Sequence, residues 1–242
     1  YTEVDTLSLH DALPIYKSLD NLNMEKVDLF LLHSQLREDD FQLYTLNEYR
    51  ETNTTSLSCY YNSVIPAFER LKKEGKIGSW GIGGLGQNNA IIQAINHETK
   101  PEAIQCVINP LNSAGAIGYV DADYNPNSIL KESRKARIPI LGIRAVQAGA
   151  LTKKMDREPH ESGFDIKDFE DYDRAEPFRA LASEWEISPS LLAHRYALSA
   201  DEVSSVILGV KNRTELLECV EAEVNGKLTI EQVAKIEEVL AN

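Results

Sequence analysis

Five short apolar runs, each closing on glycine or a polar residue, restrict what this chain can fold into: Val27–His33, Ile77–Gly83, Ala103–Asn109, Ile138–Arg144 and Val203–Gly209. Helix-like stretches separate all five. That alternation predicts parallel strands joined by helical crossovers, successive and right-handed, in one sheet. In such sheets the polar chemistry collects at the carboxyl ends of the strands. The order of elements therefore locates a candidate site before any motif is read. It also sets a difficulty, because five strands are too few to close the barrel that they imply.

The strands are expected over Val27–Leu32, Ile77–Ile82, Ala103–Ile108, Ile138–Ile143 and Val203–Leu208. Leu19, Leu22 and Met24 read as the end of a helix, with Asn23 at its C-terminus. A helix over about Leu57–Glu74 places Val64, Ala67, Phe68 and Leu71 on one face, and Gly75 stops it. A helix around Ala90–Asn96 follows. Asn125-Pro126 and Ser188-Pro189 each open a helix by a side-chain cap followed by a proline that loses no helical hydrogen bond. A helix from Arg213 to Val224 precedes the capping box Thr229-Ile230-Glu231-Gln232, which starts the last one. Two polar stretches, Gln35–Thr55 and Thr152–Arg174, read as long surface loops, and loops of that length beside strand ends often form lids.

The 242 residues carry a net charge of −13. That acidity argues against nucleic acid or an anionic membrane as a partner. No apolar run approaches the roughly 20 residues that a membrane-spanning helix needs. The three cysteines, Cys59, Cys106 and Cys219, form no C-x-x-C pair, which fits a reducing, cytoplasmic compartment. Cys106 lies in a strand run and is expected to be buried. No metal centre is expected. Residues 1–15, with Leu7–Ile15 showing neither helical nor strand period, read as a translated sequencing-adapter scar joined to the natural sequence, or as a disordered arm. Residues 16–242 then form one incomplete domain.

From about Tyr16 onward the chain resembles the aldo-keto reductase family. Val27–His33 resembles that family's fourth barrel strand with its catalytic histidine. Gly75–Ile82 resembles the strand-five signature, and Gln105 matches the strand-six glutamine. Ile138–Arg144, with Gly149-Ala150-Leu151-Thr152 after it, resembles strand seven. Gly209–Glu218 resembles the cofactor-binding turn after strand eight. The resemblance implies a TIM-type (β/α)8 barrel that binds a nicotinamide dinucleotide without a glycine-rich dinucleotide fingerprint. Here strands four to eight are present and the first three units are missing, so the chain is expected to be a C-terminal fragment. Consistently, no G-x-G-x-x-G opens a helix after a strand.

The implied reaction moves hydride between NADP(H), or NAD(H), and a small carbonyl, alcohol or sugar substrate. His33 is the only residue of the His/Asp/Tyr/Lys tetrad that can be assigned, so the fragment is expected to be inactive. As a lone histidine, His33 also admits a purely structural reading. Gln105 would hold the carboxamide or, alternatively, bond neighbouring backbone, while Ile143 would pack on the nicotinamide. Arg144 would reach a phosphate or a substrate acid, or else pair with a loop carboxylate. Val146 and Ala148 would offer backbone groups to the pyrophosphate. Gly209, Lys211, Glu215 and Glu218 would hold the adenosine end, Lys211 and Arg213 meeting a 2′-phosphate and Glu218 the adenine amino group. The alternative for these two cations is a solvated helix start. Gly83 and Gly84 stand where the family usually has Ser-Asn, and Cys219 where it has Asn. Those departures keep open a second reading, a non-catalytic cofactor-binding partner subunit of the same fold. A β/α-barrel lyase or aldolase would want a lysine or a carboxylate pair at the strand ends, and neither is found. Two open sheet edges predict self-association.

Overall fold

The computed structural model describes residues 15–41, 53–119, 121, 123–201 and 203–241. Helix α1 spans residues 15–22 and ends at Asn23, whose φ of 51° is the left-handed stop that asparagine tolerates. Strands β1 (Val27–Leu32), β4 (Ile77–Gly83), β5 (Ile104–Val107), β6 (Ile140–Ile143) and β7 (Val203–Val206) form one parallel sheet in the order β1-β4-β5-β6-β7. The five expected strands are thus present, each within two residues of its expected bounds. Among the described residues β1 pairs only with β4, and β7 only with β6. Both outer strands expose unpaired backbone there.

Helix α2 (Ile65–Lys73) follows Leu57–Cys59 and a π-turn at Tyr60–Val64 without a break. It buries the expected face: Ala67, Phe68 and Leu71 are each at most 5% exposed. Phe68 meets Phe30 of β1 edge-on at 5.5 Å and Trp80 of β4 at 5.6 Å. Burying a ring of this size is worth about 2–3 kcal/mol. The Trp80 indole N–H donates to Glu69 at 2.6 Å, so the ring is buried with its polar atom satisfied. Helices α3 (Asn88–Asn96) and α4 (Pro126–Lys135) cover the next crossovers, with Asn125 capping the N–H of Ser128. Cys106 is fully buried, and burial pushes its thiol up to about 12.

Two expectations are corrected. The stretch Gln35–Thr55 is not all loop, because β2 (Gln35–Arg37) pairs in parallel with β3 (Thr54–Ser56). Such short strands carry too little alternation to be read from sequence. Residues 42–52 lie outside the described residues, as do His10 and Asp11. The stretch Thr152–Arg174 contains helix α5 (Ile166–Arg174). Its inward face is acidic, with Asp168 and Asp171 each 3% exposed, so it lacks the apolar period by which a helix is recognised.

Helices α6 (Glu176–Glu184), α7 (Pro189–Ser199), α8 (Arg213–Asn225) and α9 (Ile230–Ala241) complete the chain. Phe178, Leu181, Leu192 and Ile236 build a second apolar core beside the sheet. Ser188 caps α7, and Thr229 and Gln232 cap each other's backbone N–H at α9, as their spacing predicted.

Candidate functional site

Because all five strands run in parallel, their carboxyl ends share one edge of the sheet. His33 follows β1 at that edge and is exposed. Gln105 on β5 pairs in register with Gly83, the last residue of β4. A Cβ on Gly83 would lie 3.9 Å from Gln105 Oε1, so the amide stands over that glycine. A Cβ on Gly84 would lie 2.4 Å from the Gln105 carbonyl oxygen and 3.3 Å from Ile129. The backbone there accepts no side chain, which is the physical reason for glycine at that position.

After β6 the chain makes a tight turn through Arg144 (φ 58°), Gln147 (φ 45°), Ala148 (φ 50°) and Gly149 (φ 100°). Left-handed backbone costs a non-glycine residue about 1–2 kcal/mol. The surroundings hold it in place. Gln147 is fully buried. Its Nε2 donates to Asp171 at 2.6 Å, and its Oε1 accepts from Arg144 Nε at 2.8 Å. Arg144 also pairs with Asp168 at 2.7 Å, and Asn109 Nδ2 donates to the Arg144 carbonyl at 3.2 Å. Burial lowers the Arg144 pKa, and Asp168 opposes that shift. Arg157 pairs with Asp165 and, at 3.0 Å, with Asp168. The N–H of His160 and the Arg157 guanidinium hold the Asp165 carboxyl below the ordinary carboxylate range. A buried charge network of this kind adds little net stability, but its geometry fixes what it touches. Here it fixes the turn.

Val146, Ala148 and Gly149 form one wall of a cavity of about 900 Å³. Its lining also includes Thr152, Asp156 and Arg157, the turn after β7 at Gly209–Lys211, and Glu215, Glu218 and Cys219 of α8. Lys211 Nζ pairs with Asp156, both in the cavity lining, and the pair holds the Asp156 carboxyl below its usual range. Glu215 accepts from the Lys211 backbone N–H at 2.7 Å and from Asn212 Nδ2 at 2.8 Å. Glu218 accepts from Ser188 Oγ and Ser190 Oγ, both at 2.7 Å. Cys219 Sγ lies 3.0 Å from His194 Nε2. Burial lowers the His194 pKa against the opposing Glu218 carboxylate, and burial raises that of the Cys219 thiol.

The sequence model of the aldo/keto reductase family matches residues 14–241. The chain belongs to that family. It is 24% identical over 227 residues to an uncharacterized oxidoreductase, YqkF, of Bacillus subtilis, a match that covers 92% of this chain. The chain spans 63% of that relative's length. Among solved structures it is similar to the aldo-keto reductase AKR11C1 of Bacillus halodurans. The apo form gives a TM-score of 0.68 and the holo form 0.67, each at 19% identity and covering 96% of this chain and 68% and 67% of that one. The likeness shows the α/β fold of aldo-keto reductases.

In this aldo/keto reductase chain the expected residues fall into two groups. Val146, Ala148, Gly209, Lys211, Glu215, Glu218 and Cys219 line the same cavity. His33, Gln105, Ile143 and Arg144 are not in its lining. Of the two readings of Arg144, the structure has the carboxylate pair, with Asp168 on α5. Lys211, expected either at a phosphate or in solvent, is held by Asp156. Sequence reading missed Ser190, His194 and Arg157. Ser188 was read as a cap, and nothing in its neighbourhood signals its second bond to a carboxylate 30 residues on. No group of three or more metal-ligating side chains is found among the described residues. No helix among them is long and apolar enough to cross a membrane.

Proposed function

We propose that this chain is the cofactor-holding part of a nicotinamide-dependent aldo-keto reductase, acting on a small carbonyl, alcohol or sugar. The observation that carries the proposal is the cavity. The braced turn at Gln147–Gly149, the Lys211–Asp156 pair and the Glu218 carboxylate meet around a space of about 900 Å³. That is at the upper end of the 300–1,000 Å³ typical of small-molecule and cofactor sites. A phosphate-bearing nucleotide fits this donor set. Val146 and Ala148 offer backbone groups at a turn that needs no rearrangement, and Lys211 with Arg213 supplies positive charge at a helix start. Glu215 and Glu218 face the nucleoside. The lysine favours NADP(H) over NAD(H), with Lys211 exchanging Asp156 for the 2′-phosphate.

When bound, the nicotinamide supplies or accepts the hydride. Gln105 orients its carboxamide from β5, and Ile143 packs against the ring. His33 hydrogen-bonds the substrate carbonyl oxygen and fixes its approach. Reduction leaves an alkoxide that needs a proton. In the family that proton comes from a tyrosine on the first three strand–helix units, and the five strands described here are read as the fourth to eighth. Alone, this polypeptide binds cofactor and has negligible reductase turnover.

The open edges at β1 and β7, with Leu217 and Val224 of α8 exposed at 55% and 74%, favour self-association of the separate chain, and a monodisperse monomer on gel filtration contradicts that part. The function is tested by titrating the chain with NADPH and following cofactor fluorescence. Saturable binding, weakened about tenfold in Lys211→Ala, supports the reading. Absence of saturable binding contradicts it, and substantial cofactor-dependent aldehyde reduction contradicts the inactivity.

A further inference from the structure

A second cavity, of about 280 Å³, lies between α5 and the loop that follows β5, and shares no lining residue with the larger one. The loop comes this close because residue 115 is glycine. Its backbone is left-handed (φ 55°), and a Cβ there would overlap the Asp168 carboxylate. The Ala116 N–H donates to Asp168 at 3.0 Å and holds the loop against the helix. Lys167 and Arg174 of α5 both line the pocket. A seven-residue separation is close to two helical turns, so the two cations share a face, about 10 Å apart along the axis. Lys167 makes no hydrogen bond or ion pair among the described residues. Arg174 donates to Asp171 at 2.6 Å and to the Leu111 carbonyl at 3.3 Å, which uses two of its five N–H donors. Ser113 faces the helix from the loop. Its hydroxyl oxygen accepts from the Gly115 N–H at 3.0 Å and from Gln147 Nε2 at 3.4 Å, so the hydroxyl proton is left to donate elsewhere. The one carboxylate in the lining, Asp121, accepts from the N–H groups of Asn88 at 3.1 Å and Asp123 at 3.0 Å.

We infer that this pocket is a binding site for a phosphoryl group, carried by free phosphate or by a small metabolite. Three uncommitted donors surround it, two of them cationic, in a chain whose net charge is −13. A phosphoryl group brings up to two negative charges and three terminal oxygens to match them, whereas a carboxylate brings one charge and two oxygens. The volume falls just short of the 300–1,000 Å³ of sites for larger ligands, so the pocket suits a compact anion. The site goes beyond the cofactor reading and does not depend on it. It does adjoin the same machinery, because Asp171, the partner of Arg174, also accepts from Gln147 of the cavity turn at 2.6 Å.

The test is thermal unfolding of the full chain in sodium phosphate, against sodium chloride of the same pH and ionic strength. The wild type is expected to gain stability saturably, by about 3 °C at ten times the half-saturating concentration. Lys167→Gln removes a side chain that holds nothing else in place, and is expected to lose more than half of that gain. Lys167→Arg should keep it, and so should Lys211→Ala, which alters only the larger cavity. Phosphate also strengthens burial in any protein, and that general effect survives in Lys167→Gln. An equal gain in wild type and Lys167→Gln therefore overturns the inference, as does no gain in the wild type. A gain lost in Lys211→Ala but kept in Lys167→Gln places the anion in the larger cavity and overturns it too. Sodium acetate matching phosphate at equal ionic strength overturns the phosphoryl assignment. Glycerol phosphate matching inorganic phosphate supports a metabolite as the source, and inorganic phosphate acting alone supports the free ion. Failure of NADPH to bind the chain contradicts the cofactor reading and leaves this site untouched.

Discussion

Helices α2 and α5 are each nine residues long, and they dock by opposite chemistry. α2 buries Ala67, Phe68 and Leu71, and its last turn carries Arg70, Lys72 and Lys73. α5 buries Asp168 and Asp171 and leaves Ile166 48% exposed. The first attachment is non-directional and scales with area. The second works only with named partners at fixed distances: Arg144, Arg157, Arg174 and Gln147. Apolar burial builds the scaffold under β1 and β4. The charged face of α5 instead sets the position of one strained turn, and that turn forms a wall of the cavity.

The contrast can be broken experimentally, since one tryptophan reports on each region. Trp80 lies in the sheet core and Trp185 packs on the second core. The largest expected effect is from Phe68→Ala, which removes a ring between two aromatic neighbours and costs about 3–5 kcal/mol. Urea unfolding followed by Trp80, in a Trp185→Phe background, should show that loss with little dependence on salt. Asp168→Asn should cost about 3 kcal/mol, because it leaves two arginines without their shared carboxylate. Its loss should be read first by Trp185, and a purely structural α5 would leave NADPH affinity unchanged.

Acid should separate the regions in the same order. Asp165 is held below its ordinary range, so its contribution is complete above about pH 4 and disappears as the pH falls through the depressed folded value. His194 is also depressed. Its contribution is complete above about pH 6.5 and declines below that, as the unfolded chain takes up the proton first. Melting temperature measured between pH 7.5 and 5.5 should fall in the wild type and fall less in His194→Asn. The smallest effect is expected from Asp156→Ala, which breaks an exposed pair with Lys211 and should change stability by less than about 1 kcal/mol. It should instead speed the exchange of backbone amides in the 152–157 segment.

What the sequence reveals follows the same division. Caps such as Asn125, Ser188 and Thr229 were legible because the group they satisfy is three residues away. The strands were legible because each is an apolar run between breaks. The interior of α5 was not, since its buried carboxylates are satisfied by arginines distant in sequence, and sequence polarity alone reads them as solvent-facing. β2 and β3 were missed because three-residue strands have no period to detect. Residues around the cavity were placed by resemblance to a family turn, through Gly209 to Glu218. The serine clamp and the His194–Cys219 contact join α7 to α8 across 25 or more residues. No local spacing encodes such contacts, and only the packed helices bring them together.

Hydrogen exchange of the chain with and without saturating NADP⁺ tests the central claim most directly. Slower exchange concentrated at residues 146–157 and 209–219 is the predicted result, since the braced turn and the start of α8 would contact the nucleotide. Protection confined to other segments, or no protection at any NADP⁺ concentration, would contradict the account.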